Sequence, residues 1–426
     1  MGDIIIKKDR RFLAGVWKKI LLFLAVFGPA TITAMADNDA GGVATYSIAG
    51  AKLGYPILFL LPVITLLLAV TQEMGMRLTI ITRRGLADLI RERYGVRAAL
   101  FMFGALLIAN IGTLITEISA VETTSEMFGI PPIPAVIVIV TVSFLFVTRG
   151  DYKLTQNIML IACLFFLAYI FSAVKANPDW GLALSNLAYP HGVAFTPEYM
   201  HSYLVIGMGV LGTTITPWGQ FFVSSFAYDK KIEKGHVGMS QLETYWGAFL
   251  TDFFSFFMIV ATAATLYVNG IELTSGEQAA LAIKPFAGEL AGTLFALGIL
   301  NAGFMGLVVV SLSTAYAFAE FFGVSGSLDD SFKKSKTFYI LYIVQLLVAM
   351  LFVLFSTVNL FQVALVTQTI NAIALPLVFF YLIRLASDKS LMGEFANNKF
   401  QHWFAIVCTV LIAIASAFSI FSAIFG

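Results

Sequence analysis

The chain has 426 residues, 59% hydrophobic and 12% charged, with 40 Phe and a mean hydropathy of +0.88. No soluble fold hides that much apolar side chain in one core, so the bilayer is its solvent. The formal net charge of +1 offers no surface suited to nucleic acid, and the two cysteines, Cys163 and Cys408, lie in apolar runs without metal-ligand spacing and read as packing residues.

The N-terminus, MGDIIIKKDRRFLAGVWKK, is charged and leads straight into a full-length apolar segment, so no cleavable leader is expected. A spanning helix needs about 20 apolar residues. On that criterion eleven spans are expected, near 20–50, 55–81, 98–127, 132–148, 155–174, 200–227, 242–268, 287–322, 337–356, 358–384 and 402–425. All belong to one transmembrane transporter domain over 1–426, with helices 1–5 at about 20–174, helices 6–10 at about 200–384 and helix 11 at about 402–425. The basic residues fall in alternate loops: the N-terminus, 77–97, 148–153, 229–236, 329–336 and 384–389. Short cytoplasmic loops are the ones enriched in Lys and Arg, which places the N-terminus inside and the C-terminus outside. GLADLIRERYG (85–95) reads as a short amphipathic interfacial helix between the second and third spans.

The first and sixth spans are interrupted in corresponding ways. GPATITAMADNDAGGVATY places Asp37, Asn38 and Asp39 before Gly41 and Gly42, and GVLGTTITPWGQFF places Thr213, Thr214 and Thr216 around Pro217 and Gly219. Pro lacks a backbone donor and Gly tolerates unusual dihedrals, so both stretches can unwind and expose carbonyls. Discontinuous helices in matching positions point to a transporter site built where they break, with spans one to five and six to ten as inverted repeats and the eleventh appended. Asp37 and Asp39 are costly in hydrocarbon unless they face water, a proton or a cation; the alternatives are a pair at a helix end near the interface, or an Asp37 that merely caps the second half-helix. Asp39, followed by two glycines, is the stronger ligand candidate, because unwinding there could add carbonyls to its carboxylate. The hydroxyls and carbonyls of Thr213 and Thr216 would oppose it.

GPATITAMADNDAGGVAT resembles the first helix of the Nramp (natural resistance-associated macrophage protein) divalent-metal transporters, with Gly28, Pro29 and Asp39 in register. TRRGLADLIRERYG (82–95), LFALGILNAGFMG (294–306) and DKSLMG (388–393) are similar to later segments of that family, so the resemblance covers nearly the whole chain. It implies an all-α integral membrane protein of the leucine-transporter type, with eleven transmembrane helices, a 5+5 inverted repeat plus one, broken helices 1 and 6, and alternating access. No enzyme, cofactor or obligate protein partner is implied; the partners are the transported ion and the bilayer, in the inner (cytoplasmic) membrane.

The departures from the family fall at its metal site. Where Nramp proteins have Asp-Pro-Gly-Asn, this chain has Asp39-Ala40-Gly41-Gly42, so Gly42 stands at the lost Asn. Position 37, not acidic in the family, is Asp, and the family's Ala-Thr-Val-Met-Pro-His reads Thr213-Thr214-Ile215-Thr216-Pro217-Trp218, which replaces a thioether with Thr216. Thioether favours soft or borderline ions, whereas carboxylate, carbonyl and water favour Mg²⁺, Ca²⁺ and Mn²⁺. The set is similar to that of the Nramp-related magnesium transporters, and the expected substrate is Mg²⁺ first and Mn²⁺ second. Gln368 aligns with a tenth-helix Gln that approaches the metal, with helix-to-helix hydrogen bonding as its alternative; Asn371 lies one turn on. Proton coupling in the family uses sixth-helix His residues, which here read Trp218 and Val223, and the four His of the chain fall in or near loops. Weak or absent coupling is expected, with Asp37 or Glu117 left as a carboxylate relay. Asp252, without a basic partner in its span, is a pathway candidate, and Glu320 is expected to be interfacial. A proton- or sodium-coupled carrier of another small solute on the same fold is the alternative function.

Overall fold

The computed structural model describes residues 28–284, 288–356 and 359–425. Residues 20–27 of the first expected span and the N-terminal tail lie outside them, as does the side chain of Cys163.

Two short helices, α1 (Pro29–Ala36) and α2 (Ala40–Leu53), share the first crossing. A 3-10 turn (Tyr55–Phe59) runs into α3 (Leu60–Thr82), and α4 (Leu86–Met127) follows. The expected interfacial helix is the first part of α4, set off at Gly95, whose φ of 84° and ψ of 173° break the helix where glycine alone carries no Cβ penalty. Next come α5 (Pro132–Arg149), then α6 (Tyr152–Ala162) and α7 (Leu167–Lys175), joined by a 3-10 turn, and the short α8 (Trp180–Ser185) in the long loop. The sixth crossing is again split, into α9 (Pro197–Thr214) and α10 (Pro217–Asp229). After α11 (Val237–Thr262) and the one-turn α12 (Gly276–Ala280) come α13 (Ala291–Phe322), α14 (Lys336–Phe355), α15 (Leu360–Ser387), the one-turn α16 (Lys389–Met392) and α17 (Lys399–Phe425).

Nine helices among the described residues are long and apolar enough to cross a membrane. The split first and sixth crossings are not among them, and counting each pair as one crossing is what the expected eleven requires.

The broken pairs sit centrally. Helix α2 packs against α9, α11 and α15, α1 against α11 and α10, and the long α4 and α13 lie together behind them. Small residues permit this closeness: a Cβ on Gly212 of α9 would overlap the Gln368 carbonyl of α15, and one on Gly50 of α2 would overlap the Ile259 carbonyl of α11. The eleventh crossing is fastened by a buried ion pair. Arg77 of α3 gives Nε and Nη2 to the two carboxylate oxygens of Glu73 at 2.6 and 2.9 Å, donates to the carbonyl of Phe395 and reaches Asn397 Oδ1 at 2.8 Å. Gln241 of α11 and Gln401 of α17 also donate to Glu73. All of the strong charge is matched by hydrogen bonds, which a buried pair requires.

Candidate metal-ion site

The first break is a tight turn. Asn38 N–H donates to the Met35 carbonyl at 3.2 Å and Asp39 N–H to that of Ala36 at 3.0 Å, after which Asp39 turns extended (φ −60°, ψ −177°) and starts α2. Asp39 Oδ1 accepts from Gly42 N–H at 2.7 Å, so its carboxylate caps the second half-helix, while Oδ2 is buried without a partner. The unwound residues are therefore 37–39, ahead of the glycines. The expectation of unwinding at Gly41 and Gly42 is corrected: both are helical, and the Asp39 carbonyl is spent on Val43 N–H. Gly42 instead serves close approach, because a Cβ there would overlap the Asp37 carbonyl and stand 3.2 Å from Thr213 Oγ1.

The second break falls at Ile215 and Thr216, both extended. Pro217 brings no N–H, which leaves the Thr213 carbonyl without its helical partner. Thr216 Oγ1 accepts from Gly219 N–H at 3.0 Å, capping α10, and donates to Asp37 Oδ1 at 3.1 Å. The two breaks thus meet through Asp37, not Asp39. Around the meeting point three oxygens are buried without any hydrogen-bond partner: Asp37 Oδ2, Asp39 Oδ2 and Thr213 Oγ1. Orphan acceptors at that density are costly in a dry interior unless a cation or water fills the space between them.

Glu117 of α4 holds the same junction from behind. Its carboxylate accepts from Ala40 N–H at 3.1 Å and from Gly41 N–H at 3.3 Å, so both oxygens are engaged at the N-terminus of α2. Besides this anchoring, the Glu117 and Asp39 side chains lie within interaction distance of each other. Gln368 lies beside Gly41, its Nε2 2.5 Å from where a Cβ would stand; its Oε1 accepts from Asn371 Nδ2 at 2.7 Å, and Asn371 also donates to Thr113 Oγ1. In this amide orientation Gln368 presents an unpartnered donor beside Gly41, and direct ligation requires the amide to flip.

Among the described residues, Trp218 and Asp252 make no hydrogen bond to Asp37 or Asp39, although Asp252 is near enough to Asp37 for their charges to interact. Trp218 is fully buried on α10, its carbonyl accepting from Ser313 Oγ of α13 at 2.8 Å. Asp252 accepts from Thr65 Oγ1 at 2.5 Å and lines a largely apolar cavity of about 830 Å³ with Trp180, Phe249 and Phe253. Glu320, expected to be interfacial, is half-buried and accepts from Ala87 N–H at 3.1 Å and Ser225 Oγ at 2.6 Å, pinning the start of α4, the segment expected to lie at the interface. Sequence reasoning missed Glu243 of α11, which is wholly buried and takes the backbone amides of Gly28, Ala30 and Thr31 at the start of α1, and it did not foresee that the Asn38 side chain is tied to Thr251 and Ser255 of α11. An acid within an apolar helix was the available signal for Glu243; its place at the edge of the expected span concealed it.

Comparison with known proteins fits this geometry. The family model for natural resistance-associated macrophage protein-like chains matches residues 30–422. A divalent metal cation transporter MntH of Granulibacter bethesdensis is 23% identical over 407 residues, covering 93% of this chain and 87% of the relative. Another MntH, of Yersinia pestis, is 25% identical over 400 residues, covering 88% and 90%. Among solved structures, the Eremococcus coleocola manganese transporter superposes with a TM-score of 0.76 at 19% identity, over 96% of this chain and 87% of its own. A Na⁺-coupled sialic acid symporter gives 0.61 at 13% identity, over 93% and 89%. These structural likenesses show that the all-helical fold is shared.

Proposed function

The chain belongs to the natural resistance-associated macrophage protein (Nramp) family, and from that premise we propose that it is a multi-pass membrane transporter of a hard divalent cation, Mg²⁺ first and Mn²⁺ second. The observation that carries this reading is the set of orphan oxygens at the junction of the two breaks, two of them carboxylate and one hydroxyl. Thr216, which stands where the family has its thioether, spends its hydroxyl on Asp37 and Gly219 and offers the ion no soft ligand. Mg²⁺ keeps several waters and needs few carboxylates, and among the described residues no three of His, Cys, Asp and Glu converge into a ready-made cage. Asp39 and Asp37 would hold the ion by their free oxygens, with Thr213 supplying its hydroxyl or carbonyl. Transport proceeds by alternating access with the N-terminus inside, and with weak or no proton coupling.

A second reading, a sodium- or proton-coupled carrier of a small organic solute, draws on Gln368, whose free Nε2 presents a donor where a cation ligand would present oxygen. Uptake into proteoliposomes loaded with a Mg²⁺-sensitive dye separates the two. The expected result is Mg²⁺ entry that Asp39→Ala abolishes. Neither Mg²⁺ nor Mn²⁺ entering through the parent protein defeats the cation reading.

A further inference from the structure

The N-terminus of α1 is gripped by one side chain from a distant part of the chain. Glu243 of α11 accepts from Gly28 N–H (Oε1, 3.1 Å), Ala30 N–H (Oε2, 3.3 Å) and Thr31 N–H (Oε1, 2.6 Å). The residue between, Pro29, has no N–H, so one carboxylate satisfies every amide from Gly28 to Thr31. Charge-assisted bonds to a helix N-terminus are among the stronger ones available in a buried setting, and Glu243 is wholly buried. Gly28 makes the approach possible: its φ of 148° is a left-handed value, and a Cβ there would stand 2.7 Å from the Gln156 side chain of α6. Lys230, just beyond α10, donates to that same Gln156 at 3.4 Å; burial lowers its ammonium to about 8, and the Glu243 carboxylate works against that shift.

The grip is matched at the other half-helix. The N-terminus of α2 is held by Glu117 from α4, whereas that of α1 is held by Glu243 from α11. The two halves of the first crossing are thus fastened to different helices, and the non-helical residues 37–39 lie between the fastenings. No part of the ion site is touched by Glu243 itself.

We infer that Glu243 is a positioning residue that keeps α1 closed against α10, and that releasing its carboxylate lets α1 swing about Asp37–Asp39 to open the site toward the cytoplasm. The contact between α1 and α10 that must part is visible in Gly219, where a Cβ would stand 3.5 Å from Thr33 Cγ2. The inference rests on the alternating-access reading for its consequence, but not for its test, which needs no transported ion.

In a Cys163→Ser, Cys408→Ser background, Thr33→Cys reports the inner side of the junction. Ile48→Cys, which lines an outer cavity of about 480 Å³ with Lys52 and Tyr267, reports the other side. A membrane-impermeant maleimide is applied from each face of oriented vesicles. In Glu243→Ala, labelling of Thr33→Cys from the inner face is expected to rise about tenfold while labelling of Ile48→Cys from the outer face falls, and Glu243→Gln, a neutral acceptor, lies between. An unchanged inner rate overturns the inference, and so does a rise at both positions, which is what general loosening would give. If Glu243→Ala does not elute as a folded species, Glu243→Gln is judged by the same two criteria.

Discussion

Thr216 Oγ1 donates to Asp37 Oδ1 at 3.1 Å while accepting from Gly219 N–H, so one hydroxyl joins the break of the sixth crossing to that of the first. Thr216→Val removes both bonds. It leaves a second Asp37 oxygen orphaned and strips α10 of its cap, which alone is worth about 1 kcal/mol. Uptake is expected to fall by about tenfold or more, whereas Thr216→Ser, which keeps the hydroxyl, retains most of it. Initial rates in dye-loaded proteoliposomes check this; equal rates for the Val and Ser variants would show that the hydroxyl plays no part.

Selectivity offers a second test, and the structure alters how it must be made. Restoring the family pattern by Gly42→Asn together with Thr216→Met is the change the sequence suggests. Any side chain at position 42 runs into the Asp37 carbonyl. Gly42→Ala is therefore expected to cut uptake of every divalent cation without changing their order, since it displaces the junction itself. Thr216→Met alone is expected to move preference from Mg²⁺ toward Mn²⁺ and Cd²⁺. A competition series in which the Met variant ranks the cations as the parent does would sink the softness argument.

The crossings were legible because repeated twenty-residue apolar runs, separated by alternately basic loops, suit a bilayer and little else, and the breaks were legible because Pro217 and the acids of 37–39 have no place inside a lipid-facing helix. Where within each break the chain unwinds was not. Gly41 and Gly42 read as flexible, yet here glycine answers a steric demand from the Asp37 carbonyl of the preceding turn and from the Thr213 and Gln368 side chains of other helices. The carboxylate partners were equally hidden. Glu117 and Glu243 cap half-helices 76 and more residues away in sequence, and no local pattern announces a cap delivered across the fold.

Proton coupling gives a third prediction. His191, His201, His236 and His402 stand in loops or in the first turns of helices: His201 lies in the opening turns of α9, whose far end carries Thr213 about 18 Å on at 1.5 Å per residue. Among the described residues of the two breaks the titratable side chains are carboxylates, and both oxygens of Glu117 are committed to backbone amides. Little or no internal acidification is expected to accompany Mg²⁺ entry, recorded with a pH-sensitive dye in the same vesicles. Acidification in proportion to uptake, abolished by Asp37→Asn, would assign a relay to Asp37.

The last prediction concerns stability, and it follows from the completeness of the Glu73–Arg77 arrangement. Both side chains are buried, at 0% and 4% exposure, and the pair is bidentate, with Gln241, Gln401, Asn397 and the Phe395 carbonyl taking up the remaining valences. The attraction within such a pair does little more than offset its desolvation, so what the network secures is the seating of α17 and the loop before it against α3 and α11. Removing one partner is a different matter, because the other charge stays buried without compensation. Arg77→Met is expected to cost about 3–5 kcal/mol and to lower the midpoint of thermal unfolding in detergent, followed by Trp fluorescence, by about 5 °C. Adding Glu73→Leu to Arg77→Met removes the stranded charge and is expected to recover part of that loss. A double variant less stable than Arg77→Met would mean that Gln241 and Gln401 keep the Glu73 carboxylate satisfied without Arg77, so that no stranded charge is left to relieve.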